Sequence, residues 1–196
     1  MSGLFRFTTS ATKPEECPFD AKPEIAFLGR SNSGKSSLIN AWAGSGIAKV
    51  SGSPGKTRLV NFFEGAKYRL VDFPGYGYSS RSGDEQASWA GMIEPILSGR
   101  SNLRAALLLV DCRRILESKT GLASEELMLI KFLGKRHLPV VLVLTKADKL
   151  NRAEESRLKK ACDNLEGVEQ MALVSSAKRT GLVELEDFVY QTWIKP

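Results

Sequence analysis

The sequence predicts an α/β fold with a mostly parallel, six-stranded sheet and helices on both faces. Short apolar runs alternate along the chain with segments that have the 3.6-residue periodicity of amphipathic helices. Some runs are apolar at every position, which is typical of parallel strands that are buried on both faces. The predicted strands are Ile25–Leu28, Leu59–Phe63, Tyr68–Phe73, Ala105–Val110, Val140–Leu144 and Met171–Val174.

The last periodic segment shows how the helices pack in this prediction. Leu182, Leu185, Val189 and Trp193 recur at steps of three and four residues, which places them on one helix face that can pack against the sheet. Strands that alternate with helices form parallel sheets through right-handed crossovers, and ligands bind at the carboxyl ends of such strands. Polar motifs that directly follow the strands are therefore the candidates for a functional site.

Length and composition indicate a single globular domain. The 196 residues can bury one core, and we predict a domain over 23–196 preceded by an N-terminal extension over 1–22. Two glycine-rich segments, Gly44–Gly55 and Gly75–Gly83, are predicted to be mobile loops. No apolar run approaches the roughly 20 residues that span a bilayer, and the start of the chain lacks the apolar stretch of a signal peptide. We therefore expect a cytoplasmic protein.

The charge and the cysteines restrict the function less. The net charge of +6 suits a polyanionic partner without requiring one, because basic residues most often lie on solvated helix faces. The three cysteines are far apart and lack the spacing of zinc ligands, so we interpret them as reduced thiols.

The strongest local signal is Gly29–Ser36, which reads GRSNSGKS and matches the pattern GxxxxGK(S/T) between a predicted strand and a predicted helix. Its glycines let the backbone approach an anion, so that N–H groups and the helix N-terminus can surround a β-phosphate. Lys35 can place its charge at the β- and γ-phosphates, and the small, hard hydroxyl of Ser36 suits Mg²⁺. The weaker alternative is a glycine-rich turn that only caps a helix.

A second motif follows one strand pair later. Asp72–Gly75 reads DFPG at the end of a strand, where the Asp72 carboxylate can reach Mg²⁺ through water and the Gly75 N–H can face a γ-phosphate. Thr57, in the loop between the two motifs, can bring a further hydroxyl to Mg²⁺ when the γ-phosphate is present. The alternative for Thr57 is an ordinary loop threonine. The predicted catalytic residues are Lys35, Thr57 and Gly75, and the predicted metal ligands are Ser36, Thr57 and, through water, Asp72.

Two further motifs predict a guanine pocket. Thr145–Asp148 (TKAD) and Ser175–Lys178 (SSAK) each follow a predicted strand. The Asp148 carboxylate can accept hydrogen bonds from both N1–H and the exocyclic amine of guanine, whereas adenine offers no such pair of donors. The Lys146 stem can lie along the base, and the N–H of Ala177 can meet guanine O6. Each motif alone is weak, but their order favours a guanine nucleotide over ATP, and no acceptor-substrate signature supports an adenine-nucleotide kinase.

In these motifs the chain resembles the EngB-type (YihA or YsxC) ribosome-assembly GTPases of the translation-factor-related P-loop class. The resemblance runs from about Ile25 to Trp193 and is most specific in Ser53–Thr57 (SPGKT) and Asp72–Tyr78 (DFPGYGY). It implies a G domain, a role in maturation of the large ribosomal subunit, and an association with septation and cell division. It also makes contact with rRNA reasonable, with binding that should fall steeply as salt rises. At Arg58 the sequence departs from the glutamine found in many members.

The nucleotide-binding residues predicted from the motifs and the resemblance are Gly29, Arg30, Ser31, Asn32, Ser33, Gly34, Lys35, Ser36, Ser37, Gly55, Lys56, Thr57, Arg58, Leu59, Asp72, Phe73, Pro74, Gly75, Thr145, Lys146, Ala147, Asp148, Val174, Ser175, Ser176, Ala177 and Lys178.

The residue after the DxxG motif bears on the rate of hydrolysis. Ras-like enzymes have a water-orienting glutamine there, and this chain has Tyr76. We therefore predict slow GTP hydrolysis that a partner stimulates. Asn32 resembles the P-loop asparagine of potassium-dependent GTPases, so K⁺ is a candidate second cofactor beside Mg²⁺. The alternative function is a binding module that uses GTP occupancy as a scaffold signal and hardly turns over. We expect a monomer in either case. Asp111 receives no site role in this prediction.

Overall fold

The computed structural model describes residues 4–49, 59–77, 83–118, 121–163 and 165–195, without the side chains of residues 83–90. The strands are β1 (Arg6–Ala11), β2 (Glu24–Gly29), β3 (Val60–Glu64), β4 (Arg69–Asp72), β5 (Leu103–Asp111), β6 (Val140–Thr145) and β7 (Gln170–Leu173). The α-helices are α1 (Lys35–Ala43), α2 (Gly83–Gly99), α3 (Cys112–Glu117), α4 (Ser124–Gly134), α5 (Arg152–Ala161) and α6 (Leu182–Val189). Single 3-10 turns lie at Pro14–Glu16 and Ala147–Lys149, and a wider, π-type turn at Tyr190–Ile194 continues α6.

The strands form one mostly parallel sheet in the order β1-β3-β4-β2-β5-β6-β7. Strand β2 pairs in parallel with β4 and β5, and β5-β6-β7 continue in parallel, whereas β1-β3 and β3-β4 are antiparallel. The predicted fold class and all the predicted strands are confirmed. The parallel strands bring the ends of β2, β4, β5, β6 and β7 to one edge of the sheet.

The predicted number of strands was wrong by one. Strand β1 comes from the segment that we predicted as an N-terminal extension, and it pairs with β3 at the edge of the sheet. Its sequence, RFTTSA, is mostly polar, and only Ala11 at its end is fully buried. An edge strand with one exposed side needs no apolar run, so a search for buried strands does not find it.

Helices cover both faces of the sheet, as predicted. The inward side chains of α1 and α6 pack with Ile25 and Phe27 of β2 in one core cluster, whereas α2, α3, α4 and α5 contribute to the cluster that contains Ala26 and Leu28. Because side chains alternate along β2, the strand contributes apolar side chains to the core on both faces of the sheet. The predicted face of the last helix is present: Leu182, Leu185 and Val189 are buried, and Trp193 is half-buried in the following turn.

A group of charges lies at the opposite, amino-terminal end of the parallel strands. The Arg69 guanidinium, at the start of β4, is 2% exposed and donates to Glu24 at 2.7 Å, to Asp20 at 2.7 Å and to Glu64 at 2.8 Å. Glu24, at the start of β2, is fully buried and also accepts hydrogen bonds from Arg100. Burial alone lowers the pKa of Arg69, but the hydrogen bonds to Asp20, Glu24 and Glu64 outweigh that effect and raise it. These charges hold the N-terminal segment to the sheet, far from the motifs.

Two predictions concern parts of the chain that are largely outside the described residues. The predicted loops include residues 50–55 and 78–82, which are outside the described residues, so the mobility of the loops stays a prediction. Among the residues that are described, no helix is both long enough and apolar enough to cross a membrane.

Candidate functional site

The predicted motifs meet at the carboxyl-terminal edge of the sheet. The P-loop follows β2, Asp72 ends β4, Thr145 ends β6, and Ser175 comes two residues after β7. Hydrogen bonds join the loops directly: the hydroxyl of Thr145 lies 2.6 Å from the carbonyl oxygen of Ser33, and the N–H of Ala147 donates to Val174 at 3.2 Å. The phosphate motif and the base motif therefore form one continuous site.

The P-loop turns sharply between β2 and α1. Gly34 has φ of +91° and forms the N-cap of α1, so a residue with a side chain would be strained there. A Cβ on Gly29 would lie 2.6 Å from Ser33 Oγ and 2.7 Å from the Leu109 carbonyl oxygen, so the loop closes tightly on itself. Ser33 Oγ is buried and has no hydrogen-bond partner in the described part of the chain. This conformation supplies the narrow backbone cradle that a phosphate requires.

The remaining P-loop groups suit a magnesium phosphate. Lys35 and Ser36 are the first two residues of α1, and the Lys35 ammonium forms an ion pair with the Asp72 carboxylate. Both side chains are at most 10% exposed. A hydroxyl and a carboxylate are hard oxygen donors of the kind that Mg²⁺ prefers, and a lysine beside them can neutralise phosphate. The donor set thus fits Mg²⁺ bound with a nucleotide.

The segment after Asp72 lies against the P-loop. The N–H of Ser31 donates to the Tyr76 carbonyl at 3.1 Å, and Arg30 pairs with Tyr76 in an isolated parallel bridge. This pairing brings Gly75, predicted to face the γ-phosphate, next to the loop that holds the phosphates. The predicted residues Gly55, Lys56, Thr57 and Arg58 lie outside the described residues, and Leu59 is exposed just before β3.

The side chain of Tyr76 is buried. It is 8% exposed, and its hydroxyl lies 3.5 Å from Oε1 of Glu126, a buried residue of α4. Burial, together with the negative charge of Glu126, raises the pKa of Tyr76, so the phenol stays neutral. Arg30 also contacts this helix, because its guanidinium donates to Glu125 at 3.0 Å. The same guanidinium donates to the Gly77 carbonyl, in the segment after β4, at 3.3 Å. Sequence reasoning did not identify these contacts of α4, because neither acid belongs to a nucleotide motif.

Asp148 is held as an acceptor at the predicted base pocket. The hydroxyl of Ser175, which is fully buried, donates to Asp148 Oδ1 at 2.7 Å and accepts from the N–H of Lys178 at 3.1 Å. The hydrogen bond from Ser175 is the main reason that the pKa of Asp148 is lowered, so the side chain is a carboxylate at neutral pH. Ser176 is half-buried, and Ala177 and Lys178 are exposed beside it.

Lys146 connects the two halves of the site. It has φ of +62°, and its ammonium donates to the Asn32 carbonyl of the P-loop at 2.9 Å. The same ammonium lies 2.8 Å from Asp111 Oδ2, at the end of β5. Asp111 is thus a residue of the site that the sequence analysis missed.

Comparison with known proteins agrees with this geometry. Residues 24–146 match the family described as 50S ribosome-binding GTPase. The chain is 42% identical over 196 residues to the probable GTP-binding protein EngB of Bdellovibrio bacteriovorus, a match that covers 100% of this chain and 95% of that protein. It is 44% identical over 188 residues to the probable GTP-binding protein EngB of Streptococcus uberis, covering 93% of this chain and 91% of the relative.

Solved structures share the fold. A crystal structure of a probable GTP-binding protein EngB superposes with a TM-score of 0.68 at 23% identity, over 86% of this chain and 97% of that one. Era in complex with MgGDPNP and nucleotides 1506–1542 of 16S ribosomal RNA superposes with a TM-score of 0.64 at 18% identity, over 89% of this chain and 57% of Era. With the family match and the close relatives, the chain belongs to the EngB-type GTP-binding proteins of the 50S ribosome-binding GTPase family, and it is a GTPase.

Proposed function

We propose that this GTPase is a cytoplasmic switch in assembly of the large ribosomal subunit, with a slow intrinsic cycle that a ribosomal partner accelerates. The observation that carries the proposal is the junction of the P-loop with the base motif, through Lys146 to Asn32 and Thr145 to Ser33. Because the two loops are hydrogen-bonded to each other, binding of the phosphates at one loop and of the base at the other affects both. The family description, 50S ribosome-binding GTPase, supports the ribosomal partner. We extend the proposal to septation and cell division on the resemblance to EngB-type proteins.

The P-loop and its neighbours bind the phosphates in this proposal. Backbone N–H groups of the loop surround the β-phosphate, and Lys35 moves its charge from Asp72 to the β- and γ-phosphates. Ser36 and Thr57 would hold Mg²⁺ directly, and Asp72 would hold it through water. Mg²⁺ bound by these residues would supply positive charge that offsets the negative charge developing during phosphoryl transfer. Gly75 donates its N–H to the γ-phosphate, which makes the position of the following segment depend on the nucleotide.

The base motif selects guanine. Asp148, oriented by Ser175, accepts from the two adjacent donors of the base, while the Lys146 stem lies along its face and the Ala177 N–H meets O6. Adenine would leave the carboxylate without partners, and sites built around such hydrogen bonds reject analogues that lack them. The nucleotide is therefore GTP or GDP.

The buried position of Tyr76 supports slow intrinsic hydrolysis. A side chain that packs against α4 at 8% exposure cannot orient an attacking water as the glutamine of Ras-like enzymes does. Exposed basic side chains on α3, α4 and α5 and just after α4 offer a surface for ribosomal RNA. They include Arg113, Arg114, Lys131, Lys135, Arg152, Arg157, Lys159 and Lys160. A partner bound there can complete the catalytic site.

Turnover of GTP should rise when purified large-subunit particles are added. Partner-supplied groups accelerate related GTPases by on the order of 10³ or more, because they stabilise charge in the transition state. Phosphate release measured with and without particles checks this expectation. The particles should stimulate less as salt rises, since contacts with RNA phosphates displace counterions. Retained GTP binding without any stimulation would instead favour a scaffold that uses GTP occupancy as its signal.

Hydrolysis should be faster in K⁺ than in Na⁺ at equal ionic strength. Asn32 has φ of +64°, and its exposed side chain lies in the P-loop where K⁺ can offset phosphate charge. Steady-state rates in the two salts, repeated with Asn32→Ala, test this role. The variant should lose the difference between the salts and keep its affinity for GDP. Equal rates for the unchanged protein in K⁺ and Na⁺ would exclude potassium as a cofactor.

A further inference from the structure

Asp111 lies at the end of β5, beside the end of β6. Strands β5 and β6 pair so that Asp111 is opposite Thr145, and Lys146 follows immediately. Oδ2 of Asp111 is 2.8 Å from the Lys146 ammonium, which in turn donates to the P-loop carbonyl of Asn32 at 2.9 Å. A chain of direct contacts therefore runs from β5 through the base motif to the phosphate loop.

The geometry around Asp111 holds it in place from two directions. As the N-cap of α3, it accepts from the Arg113 N–H at 3.1 Å, and its carboxylate also accepts from the Arg113 guanidinium at 3.0 and 2.6 Å. Burial alone raises the pKa of Asp111, but the hydrogen bonds from Arg113 and Lys146 outweigh it and lower the pKa to about 2. The carboxylate is thus fully charged at neutral pH, and its side chain is only 8% exposed.

Lys146 needs such a partner to keep its position. Its side chain is 32% exposed, and a lysine stem has enough rotamer freedom for the ammonium to turn into solvent. The backbone of Lys146 is held separately, since its carbonyl lies 3.5 Å from Cys112 Sγ and its left-handed φ begins the turn at Ala147–Lys149. Asp111 is the carboxylate that holds the ammonium at the P-loop.

We propose that Asp111 is a positioning residue that keeps the Lys146 ammonium on the P-loop carbonyl of Asn32 and thereby couples the guanine loop to the phosphate loop. This inference rests on the proposed nucleotide site. Asp111 itself does not touch the nucleotide. It acts by keeping Lys146 in an arrangement in which the lysine stem can cover the base while the lysine ammonium donates to the phosphate loop.

Replacement Asp111→Asn separates this role from helix capping. Asparagine retains an oxygen that can accept from the Arg113 N–H, but it cannot form the ion pair with Lys146. We expect GDP affinity to fall by about tenfold in Mg²⁺, mainly through faster dissociation. Fluorescent GDP binding and its dissociation rate measure both quantities.

A double-mutant cycle distinguishes positioning from general structural damage. Lys146→Met keeps an apolar stem and removes the ammonium, so it should weaken GDP binding by about the same factor as Asp111→Asn. In the Lys146→Met background, Asp111→Asn should have no further effect. Additive losses would overturn the proposal. The effect of Lys146→Met alone can be read even if Asp111→Asn fails to fold, and unchanged GDP binding in Lys146→Met would also overturn the proposal.

Asp163→Asn is the matched control. It makes the same change at an exposed aspartate just after α5, so GDP affinity should stay as in the unchanged protein. Asp148→Asn identifies which hypothesis fails. If that variant loses GDP while Asp111→Asn binds as tightly as the unchanged protein, the guanine site stands and the positioning role falls. If Asp148→Asn retains GDP, the proposed guanine site is wrong and the inference built on it falls too.

Discussion

Asp148→Asn is expected to exchange guanine for xanthine as the preferred base. The carboxylate is held by Ser175 at 2.7 Å and accepts two donors from guanine in the proposed pocket. An amide instead presents one donor and one acceptor, which suits the extra carbonyl of xanthine and leaves a guanine donor unpaired. GDP affinity should fall by on the order of 10² to 10⁴, with a gain for xanthosine diphosphate. Competition of GDP, xanthosine diphosphate and ADP in Mg²⁺ measures the exchange.

Asp163→Asn provides the control for this exchange. Asp163 is an exposed aspartate just after α5, and the same change there should leave all three affinities as they were. Undiminished GDP binding by Asp148→Asn would contradict the proposed guanine contact. Tight ADP retention by the unchanged protein together with indifference to GDP would contradict guanine recognition altogether.

Arg69→Met should cause the largest loss of stability. The guanidinium is 2% exposed and bonds three carboxylates, one of which, Glu24, is fully buried. Removing one member of a buried charge group costs about 3–5 kcal/mol, because the remaining charges stay desolvated. Arg100 still pairs with Glu24, so we expect the lower part of that range and a melting temperature lower by about 10 °C. Urea unfolding and thermal melts measure the two quantities.

Lys13→Ala is the matched surface variant. Lys13 pairs with Glu16 at 3.9 Å, and both side chains are well exposed, so its loss should change the free energy of unfolding by less than about 1 kcal/mol. Below its melting temperature, Arg69→Met should still bind GDP, since Arg69 starts β4 and the site lies beyond the other end of that strand. A melting temperature within a degree or two of the unchanged protein would show that the buried charges add little to stability.

The nucleotide motifs could be predicted from the sequence because their chemistry is local. In Gly29–Ser36 the turn, the lysine and the hydroxyl are consecutive, and a single strand-to-helix junction positions all of them. The buried strands could be predicted for a similar reason, since a parallel strand covered on both faces must be apolar along its length. Strand β1 lies at the edge of the sheet and does not need to be apolar along its length, so the search for apolar runs did not find it.

The contacts that join the motifs depended on the tertiary structure. Asp111 precedes Lys146 by 35 residues, and only the register of β5 with β6 brings their charges within 2.8 Å. Tyr76 and Glu126 likewise meet because α4 packs over the segment after β4. The sequence by itself determined the fold class and the phosphate loop and predicted the guanine motif, because each follows from residues close together in the chain. Strand order and register decided which distant charges pair, because a long-range contact depends on the relative placement of whole elements, which local patterns do not specify.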